Sequence, residues 1–189
     1  VVGGTLRGGL ANALGGDTAR VVVVSGAALD VGGQNLGPVD VYAQGSGLPG
    51  QAAIINSGAE QQNALQTVRL TGPTTFGGAG RWDIRTAAFG GLLDLAGYRL
   101  TKTNANYIAF VNTQVTDGDL DVGQGTVSLE GATTITAGVG QVTVRPGAIF
   151  QSWNLAVPVP RPVNLAGGTA LGGAGIGTLG ATVRLDGPT

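Results

Sequence analysis

The chain has 189 residues, of which 36 are glycine, and it contains no cysteine, methionine or histidine. The missing residue types exclude disulfides, thiol chemistry, Cys/His metal centres and histidine-based catalytic triads. Hydrophobic residues make up 42% of the chain, too many for a disordered linker, and a net charge of −1 provides no basic surface for nucleic acid or an anionic membrane.

Short extended segments follow one another along the chain. Apolar residues, several alternating with polar ones, predict strands of three to five residues. These strands are 21–24, 39–42, 68–70, 82–84, 92–95, 107–111, 127–129, 134–136 and 142–144. Glycine-containing turns such as Gly90-Gly91 and Pro146-Gly147 separate them. The only plausible helical window, 59–70, is predicted to be a loop or a single turn.

Two motifs occur twice, which favours a solenoid. Residues 68–74 recur at 183–189 with six of seven positions identical, and the Leu-Asp-apolar-x-Gly-x-x-Leu pattern of 29–36 recurs at 93–100. Strand centres near 93, 109, 128 and 143 are 15 to 19 residues apart. We expect one coil of three short strands to need about that many residues.

The sequence therefore predicts an all-β fold, a right-handed parallel β-helix (β-solenoid), with a β-sandwich as the alternative. We expect 1–189 to form a single array, either a slice of a longer repetitive protein or a subunit that stacks. No apolar run reaches the length of about 18 residues that a membrane-spanning helix needs. No charged-then-apolar leader follows Val1, which indicates a mature form or a slice.

The repeats resemble the passenger-associated β-strand repeats of bacterial autotransporters and related giant surface proteins. The resemblance covers about 20–145 and is carried by 26–36, 91–100, 70–75, 80–84, 100–103 and 125–129. Trp153 and the proline-rich segment 158–162 have no counterpart in that pattern. The resemblance implies a secreted β-helix that serves as a stalk or fibre at a bacterial surface, with functional sites in inserted loops or elsewhere.

Two sets of carboxylates are candidate sites. Asp117, Asp119 and Asp121 alternate in an extended segment and form a weak calcium candidate, the alternative being a solvated corner. A paired-carboxylate site for glycan cleavage would draw on a larger set, namely Asp83, Asp94, Asp119 and Asp121 with Arg81, Arg85 or Arg99. Because Asp30 and Asp94 recur with the repeat, a repeated turn explains them better than catalysis.

Interface candidates come from one tryptophan, the proline-rich segment that follows it and the two ends of the chain. Trp153 precedes the segment 157–162, which favours polyproline II and forms either a rigid loop or a subunit contact. The full set of interface candidates is Trp153, Pro158, Pro160, Val1, Val2 and Pro188.

These features predict an extracellular structural protein without catalytic activity, a β-solenoid that forms a surface fibre, stalk or adhesive filament of a bacterium. The expected partners are copies of itself or adjacent repeats, joined end to end, and surface glycans, but not nucleic acid. No cofactor is expected apart from the calcium candidate. The alternative is a carbohydrate-binding or carbohydrate-cleaving β-helix, either lyase-like or phage tailspike-like.

Overall fold

The computed structural model describes residues 1–173 and 178–187, and every regular element in these residues is a β-strand. The strands are β1 (Gly4–Arg7), β2 (Arg20–Val23), β3 (Ala27–Asp30), β4 (Asp40–Gly45), β5 (Ile54–Asn56), β6 (Gln61–Leu65), β7 (Thr67–Gly78), β8 (Trp82–Arg85), β9 (Gly91–Asp94), β10 (Arg99–Lys102), β11 (Tyr107–Val111), β12 (Thr113–Val115), β13 (Asp119–Val122), β14 (Thr126–Glu130), β15 (Thr134–Ile135), β16 (Val142–Val144), β17 (Ile149–Trp153), β18 (Val163–Leu165), β19 (Thr169–Gly172) and β20 (Val183–Leu185).

The strands stack in three parallel ladders, in which each strand pairs with strands of the neighbouring coils. Ladder 1 contains β2, β4, the first part of β7, β9, β12 and β15. Ladder 2 contains β1, β3, β5, the second part of β7, β10, β13, β16, β18 and β20. Ladder 3 contains β6, β8, β11, β14, β17 and β19.

This arrangement is a β-solenoid of about 8 turns. The predicted all-β solenoid is confirmed, and the sandwich alternative is wrong because every named strand pairing is parallel. The right hand of the coil stays a prediction, in line with the hand that parallel crossover connections normally take.

Each coil is longer than the sequence spacing suggested. In ladder 2, residues that are register partners in successive coils are 20 to 26 residues apart in the sequence. One such row consists of Leu6, Leu29, Ile54, Phe76, Lys102, Val122, Val144, Leu165 and Leu185. The predicted interval of 15 to 19 residues is wrong because the strand centres from which it was taken belong to different ladders. Residue 93 lies in ladder 1, residues 109 and 128 lie in ladder 3, and residue 143 lies in ladder 2.

The two sequence repeats do not mark equivalent positions in the coil. Residues 68–70 lie in ladder 1, whereas 183–185 lie in ladder 2. Leu29 and Leu93 likewise lie in different ladders, 2 and 1. The motifs therefore encode a type of strand and corner that the chain uses at more than one side of the solenoid.

A continuous apolar core runs along the solenoid axis. Because side chains alternate along a strand, parallel register stacks the inward residues of successive coils into files. The ladder 1 file consists of Val21, Val41, Val68, Leu93, Val115 and Ile135, all buried. In ladder 3 the file of Trp82, Ile108, Val127 and Phe150 is buried as well.

The corner after ladder 3 shows why the turns favour glycine and asparagine. Asn112, Gly131 and Asn154 follow register partners in three successive coils and have φ values of 54°, 64° and 48°. This left-handed backbone region is open to glycine and tolerated by asparagine. The Asn112 side chain also accepts a hydrogen bond from the Ala132 amide at 3.0 Å, which links two coils at the corner.

Residues 59–70 form β6 and the start of β7 instead of the predicted loop or single turn, because burial of Ala64 and Leu65 favours a strand there. The segment 157–162 contains no named strand and is tied to the next coil by an isolated bridge. Val159 is fully buried, its amide donates to the Thr178 carbonyl at 2.9 Å, and its carbonyl accepts from the Gly180 amide at 2.8 Å.

Two adjacent leucines of β9 allow the core to be tested with a matched pair. Leu93 is fully buried, whereas its neighbour Leu92 is only half-buried on the opposite side of the strand. We expect Leu93→Ala to lower the free energy of unfolding by about 2–5 kcal/mol through the cavity it leaves, and Leu92→Ala to cost under about 1.5 kcal/mol. Urea unfolding followed by circular dichroism measures both, and equal losses would contradict the assigned strand orientation.

Candidate functional site

Charged and polar side chains of three neighbouring coils meet on the outer surface of ladder 3. We call this set the arginine–carboxylate cluster, and its members are Arg81, Asp83, Arg85, Tyr107 and Glu130. In β8, Trp82 and Ile84 fill the inward positions, so Asp83 between them and the flanking arginines are turned outward. β11 and β14 then stack Tyr107 and Glu130 beside them.

Asp83 is the centre of the cluster and has no exposed surface. Arg81 donates to both of its carboxylate oxygens, at 3.0 and 2.9 Å, and Arg85 donates at 3.0 Å. The Ala109 amide of the next coil donates to Oδ1 at 3.2 Å. Burial raises the pKa of Asp83, and the two guanidinium groups oppose that shift.

Glu130 and Tyr107 extend the cluster toward solvent. The Tyr107 hydroxyl donates to Glu130 Oε1 at 2.8 Å, and the Arg81 guanidinium lies 4.5 Å from the centre of the Tyr107 ring. Glu130 also lies 3.7 Å from Arg81 and 3.9 Å from Arg85. Burial raises the pKa of Tyr107 to about 12, so the phenol stays protonated and available as a donor at neutral pH.

The structure assembles only part of the predicted carboxylate set for glycan cleavage. Arg81 and Arg85, two of the three arginines in that set, flank Asp83. Asp94, however, lies in ladder 1, and Asp119 and Asp121 lie in ladder 2, so these three do not join Asp83. Since Asp83 is enclosed by arginines, its carboxylate is held by the protein itself.

The recurring aspartates close turns, as their repetition predicted. The Gly32 amide donates to Asp30 Oδ1 at 2.9 Å, and the Ala96 amide donates to Asp94 Oδ1 at 3.0 Å. Each bond runs from the backbone two residues further along the chain, which is the hydrogen bond of an Asx turn.

The same two aspartates also join three successive coils. Each has an arginine of the preceding coil on one side and a hydroxyl donor of the following coil on the other. The two sets are Arg7, Asp30 and Ser57, with contacts of 3.4 and 2.6 Å, and Arg69, Asp94 and Thr116, with contacts of 3.6 and 2.7 Å. The motif is therefore a structural corner that also connects coils.

The calcium candidate is a row of separate ion pairs. Asp121 accepts two bonds from Arg145, at 2.9 and 2.7 Å. Asp119 lies 3.6 Å from Arg99, and Asp117 lies 3.9 Å from Arg161. Across residues 1–173 and 178–187, no three acidic side chains are grouped so that they could share a metal ion. Calcium binding stays a prediction, and an ion would have to displace these arginines.

Lys102 is a buried cation that sequence reasoning missed. It occupies an inward position of ladder 2 between Phe76 and Val122 and is 1% exposed. Its ammonium group donates to the carbonyls of Thr103, Asn104 and Gln124 at 2.8, 2.7 and 3.1 Å. Burial lowers the pKa of Lys102 to about 7.

Arg161 is the second buried cation that the sequence did not reveal, and it too has no exposed surface. Its guanidinium donates to the carbonyls of Thr116, Gly118 and Thr136 at 2.6, 2.5 and 3.0 Å. The acceptors belong to two earlier coils, so one side chain connects three coils. Burial lowers the pKa of Arg161, which Asp117 partly opposes.

The predicted interface residues occupy different environments. Trp153 is 49% exposed at the end of β17. Pro158 is exposed and Pro160 half-buried, on either side of the buried Val159. Val1 packs against the core and its amino group donates to the Val22 carbonyl, whereas Val2 is exposed. Pro188 lies outside the described residues. Their roles as interfaces stay predictions.

A surface concavity of about 290 Å³ lies over the outer side of β5. Its polar lining comes from Gln51, Ser57 and Asn104, and Ile55 contributes apolar surface. The Ser57 hydroxyl is already bound to Asp30, and Asn104 Oδ1 accepts a bond from the Gly78 amide. The polar atoms at this site therefore stabilise the turns around it.

Comparison of this chain with protein-family models, curated proteins and solved structures gave no match. In the part of the chain that the structure describes, no helix is long and apolar enough to cross a membrane.

Replacing Asp83 tests whether the arginine–carboxylate cluster stabilises the fold. In Asp83→Asn the new amide group faces a guanidinium donor, so we expect the free energy of unfolding to fall by about 3 kcal/mol. Asp119→Asn is the matched control and is expected to cost less than about 1 kcal/mol, because Asp119 is partly exposed and lies 3.6 Å from Arg99. Chemical denaturation at neutral pH measures both, and similar small losses would show that Asp83 contributes little.

Lys102 makes stability depend on pH in the alkaline range. The unfolded chain keeps the lysine proton to a pH of about 10.4, whereas the folded chain releases it near pH 7. The unfolded state therefore binds more protons between these values, and stability rises with pH by up to about 1.4 kcal/mol per pH unit. The two pKa values place this rise in the free energy of unfolding between about pH 7.5 and 9.5. We expect the rise to be absent in Lys102→Met. Parallel urea midpoints for both proteins across that range would refute the assignment.

Proposed function

We propose that this protein is an extracellular structural β-solenoid that forms a stalk, fibre or adhesive filament at a bacterial surface. The observation that carries the proposal is the set of three parallel ladders through about 8 turns. A shape built from stacked coils grows along one axis and keeps a constant cross-section, which suits a spacer or fibre. Eight strand spacings correspond to a length of about 38 Å.

The use of charge supports a structural role. Ion pairs between residues of neighbouring coils are Arg7–Asp30, Arg69–Asp94, Arg99–Asp119 and Arg145–Asp121, and Arg81–Glu130 joins coils that are two apart. These charges act between coils, where they fix the register of the stack. The low charge content of the chain, 11%, is thus used largely for internal contacts.

The last described strand supports stacking with a further coil. Val183 and Leu185 of β20 continue the inward files of ladder 2, yet they are 42% and 62% exposed. The earlier members of the Val183 file, including Val142 and Val163, are buried. Among residues 1–173 and 178–187, β20 pairs with β18 alone, and an exposed apolar file beside such a strand edge favours addition of another parallel strand. Head-to-tail addition of identical units then produces an open filament.

The location at a cell surface is supported by the sequence. The Gly-x-Leu-Asp-Leu-like elements at 26–36 and 91–100 are similar to autotransporter passenger repeats, which are secreted bacterial surface material. The solenoid itself agrees with the fold that this resemblance implies.

Antibody labelling tests the surface location. An antibody raised against the purified chain is applied to intact and to lysed cells of the source organism. We expect intact cells to be labelled as strongly as lysed ones, with the label on fibres or on a surface layer in electron micrographs. Labelling that requires lysis would overturn the surface location.

A charge placed in the exposed file tests stacking. We expect the purified chain to form elongated particles with a repeat of about 38 Å, and Leu185→Asp to abolish them, since a carboxylate cannot be buried against an apolar coil. Val139→Asp is the control, because Val139 is 75% exposed but lies in a turn outside the ladders. Light scattering and negative-stain microscopy measure assembly. Identical assembly of both variants, or no assembly of the unaltered chain at any concentration, would contradict end-to-end stacking.

A further inference from the structure

The outer surface of ladder 3 combines an exposed aromatic ring with partly exposed polar side chains. Trp153 is half exposed, and its indole lies against Gly173 of the next coil. A Cβ at position 173 would lie 2.6 Å from Cε3 of the indole, so the glycine provides the room in which the ring rests. The ring is thereby supported by the backbone and presents a fixed apolar surface.

A polar row runs beside this ring across three coils. Tyr107, Glu130 and Gln151 belong to the neighbouring strands β11, β14 and β17. The Tyr107 hydroxyl donates to Glu130 at 2.8 Å and lies 3.5 Å from Oε1 of Gln151. The single hydroxyl proton of Tyr107 is used for Glu130, so the 3.5 Å contact places the Gln151 amide beside the phenol without fixing which amide atom faces it. Gln151 is partly exposed and lies on the same outward side of β17 as Trp153. The row spans two strand spacings, roughly 10 Å.

The electrostatics of this surface complement a neutral ligand. Two arginines, Arg81 and Arg85, are balanced by Asp83 and Glu130, and all four groups lie within 4 Å of an opposite charge. A net charge near zero gives no attraction for an anionic or cationic polymer. The Trp153 ring is half exposed here, Gln151 and Tyr107 are partly exposed, and the Glu130 side chain is 13% exposed. Together these groups donate and accept hydrogen bonds.

We propose that this surface binds a neutral saccharide chain. The apolar C–H side of a sugar ring packs on Trp153, and hydroxyls of the same or the next ring bond to the Gln151 amide and the Glu130 carboxylate. A flat surface with a ring and paired donors and acceptors fits a hydroxyl-rich ligand better than a second copy of the chain, because interface cores are depleted of charged groups. This inference names the ligand class for the adhesive role in the proposed function, on which it rests.

Fluorescence tests the site directly, because the chain has only two tryptophans and the other, Trp82, is fully buried. The unaltered protein is titrated with cellohexaose as a neutral probe and with a galacturonate hexamer as a charged probe. We expect cellohexaose to shift the emission of Trp153 to shorter wavelength with saturation. The charged hexamer is expected to produce a shift only at concentrations at least about tenfold higher, since nothing on this surface compensates its charge.

Three variants, studied by calorimetry with cellohexaose, distinguish a specific site from nonspecific binding to exposed apolar residues. Trp153→Ala is expected to weaken binding at least about tenfold, and Gln151→Ala about threefold to tenfold. Phe89→Ala is the matched control and should bind as the unaltered protein does, because Phe89 is 54% exposed in the turn before β9, outside the polar row.

Four outcomes would overturn the inference. The first two are no binding of cellohexaose at millimolar concentration and an equal loss of affinity in Trp153→Ala and Phe89→Ala. The other two are equal affinity for the charged hexamer and an emission shift that depends on protein concentration in the absence of sugar. The last outcome would make the surface a contact between copies. Surface labelling and filament formation are measured without sugar. Failure of sugar binding would therefore leave the proposed structural role intact, and failure of labelling or assembly would leave the measured sugar binding unchanged.

Discussion

The structure depends on one constraint, the hydrogen bonding of each strand to the strands of the coils on either side of it. In a stack of parallel coils the backbone N–H and C=O groups of the strands point along the axis, so a coil is satisfied only between neighbours. The side chains of each strand then point either into the core or to the outer surface. Register turns single residues into files, which is why Leu93 shares a core file with Val68 and Val115.

Local sequence was enough to predict the strands with clear apolar alternation. The segment 107–111 was predicted with the bounds that β11 has, and Asp30 and Asp94 were correctly assigned to turns. The coil length could not be derived in this way, because identical local patterns serve different sides of the solenoid. Strands such as β6, with the sequence QQNAL, lack any apolar alternation and form because neighbouring coils pair with them.

Only part of the candidate site could be predicted from the sequence, because pairing between coils cannot be derived from local patterns. Arg81, Asp83 and Arg85 alternate within one strand, and that alternation placed them together. Glu130 comes from a strand two coils further on, and only the register between coils brings it to Arg81. Lys102 looks like a surface residue in sequence, since a lone lysine normally reaches solvent, yet register places it in the core.

Arg161 has a consequence for how such a chain can change in length over evolution. Its guanidinium bonds to carbonyls that lie 43 and 45 residues earlier, so the two coils between Thr116 and Arg161 are tied to it as one block. Duplication or loss of a single coil inside that block would leave a buried guanidinium without acceptors, which is costly. Elsewhere, coils held by neighbour-to-neighbour contacts can be gained or lost one at a time. Arg161 therefore marks a stretch of the repeat array in which the heritable unit is larger than the coil.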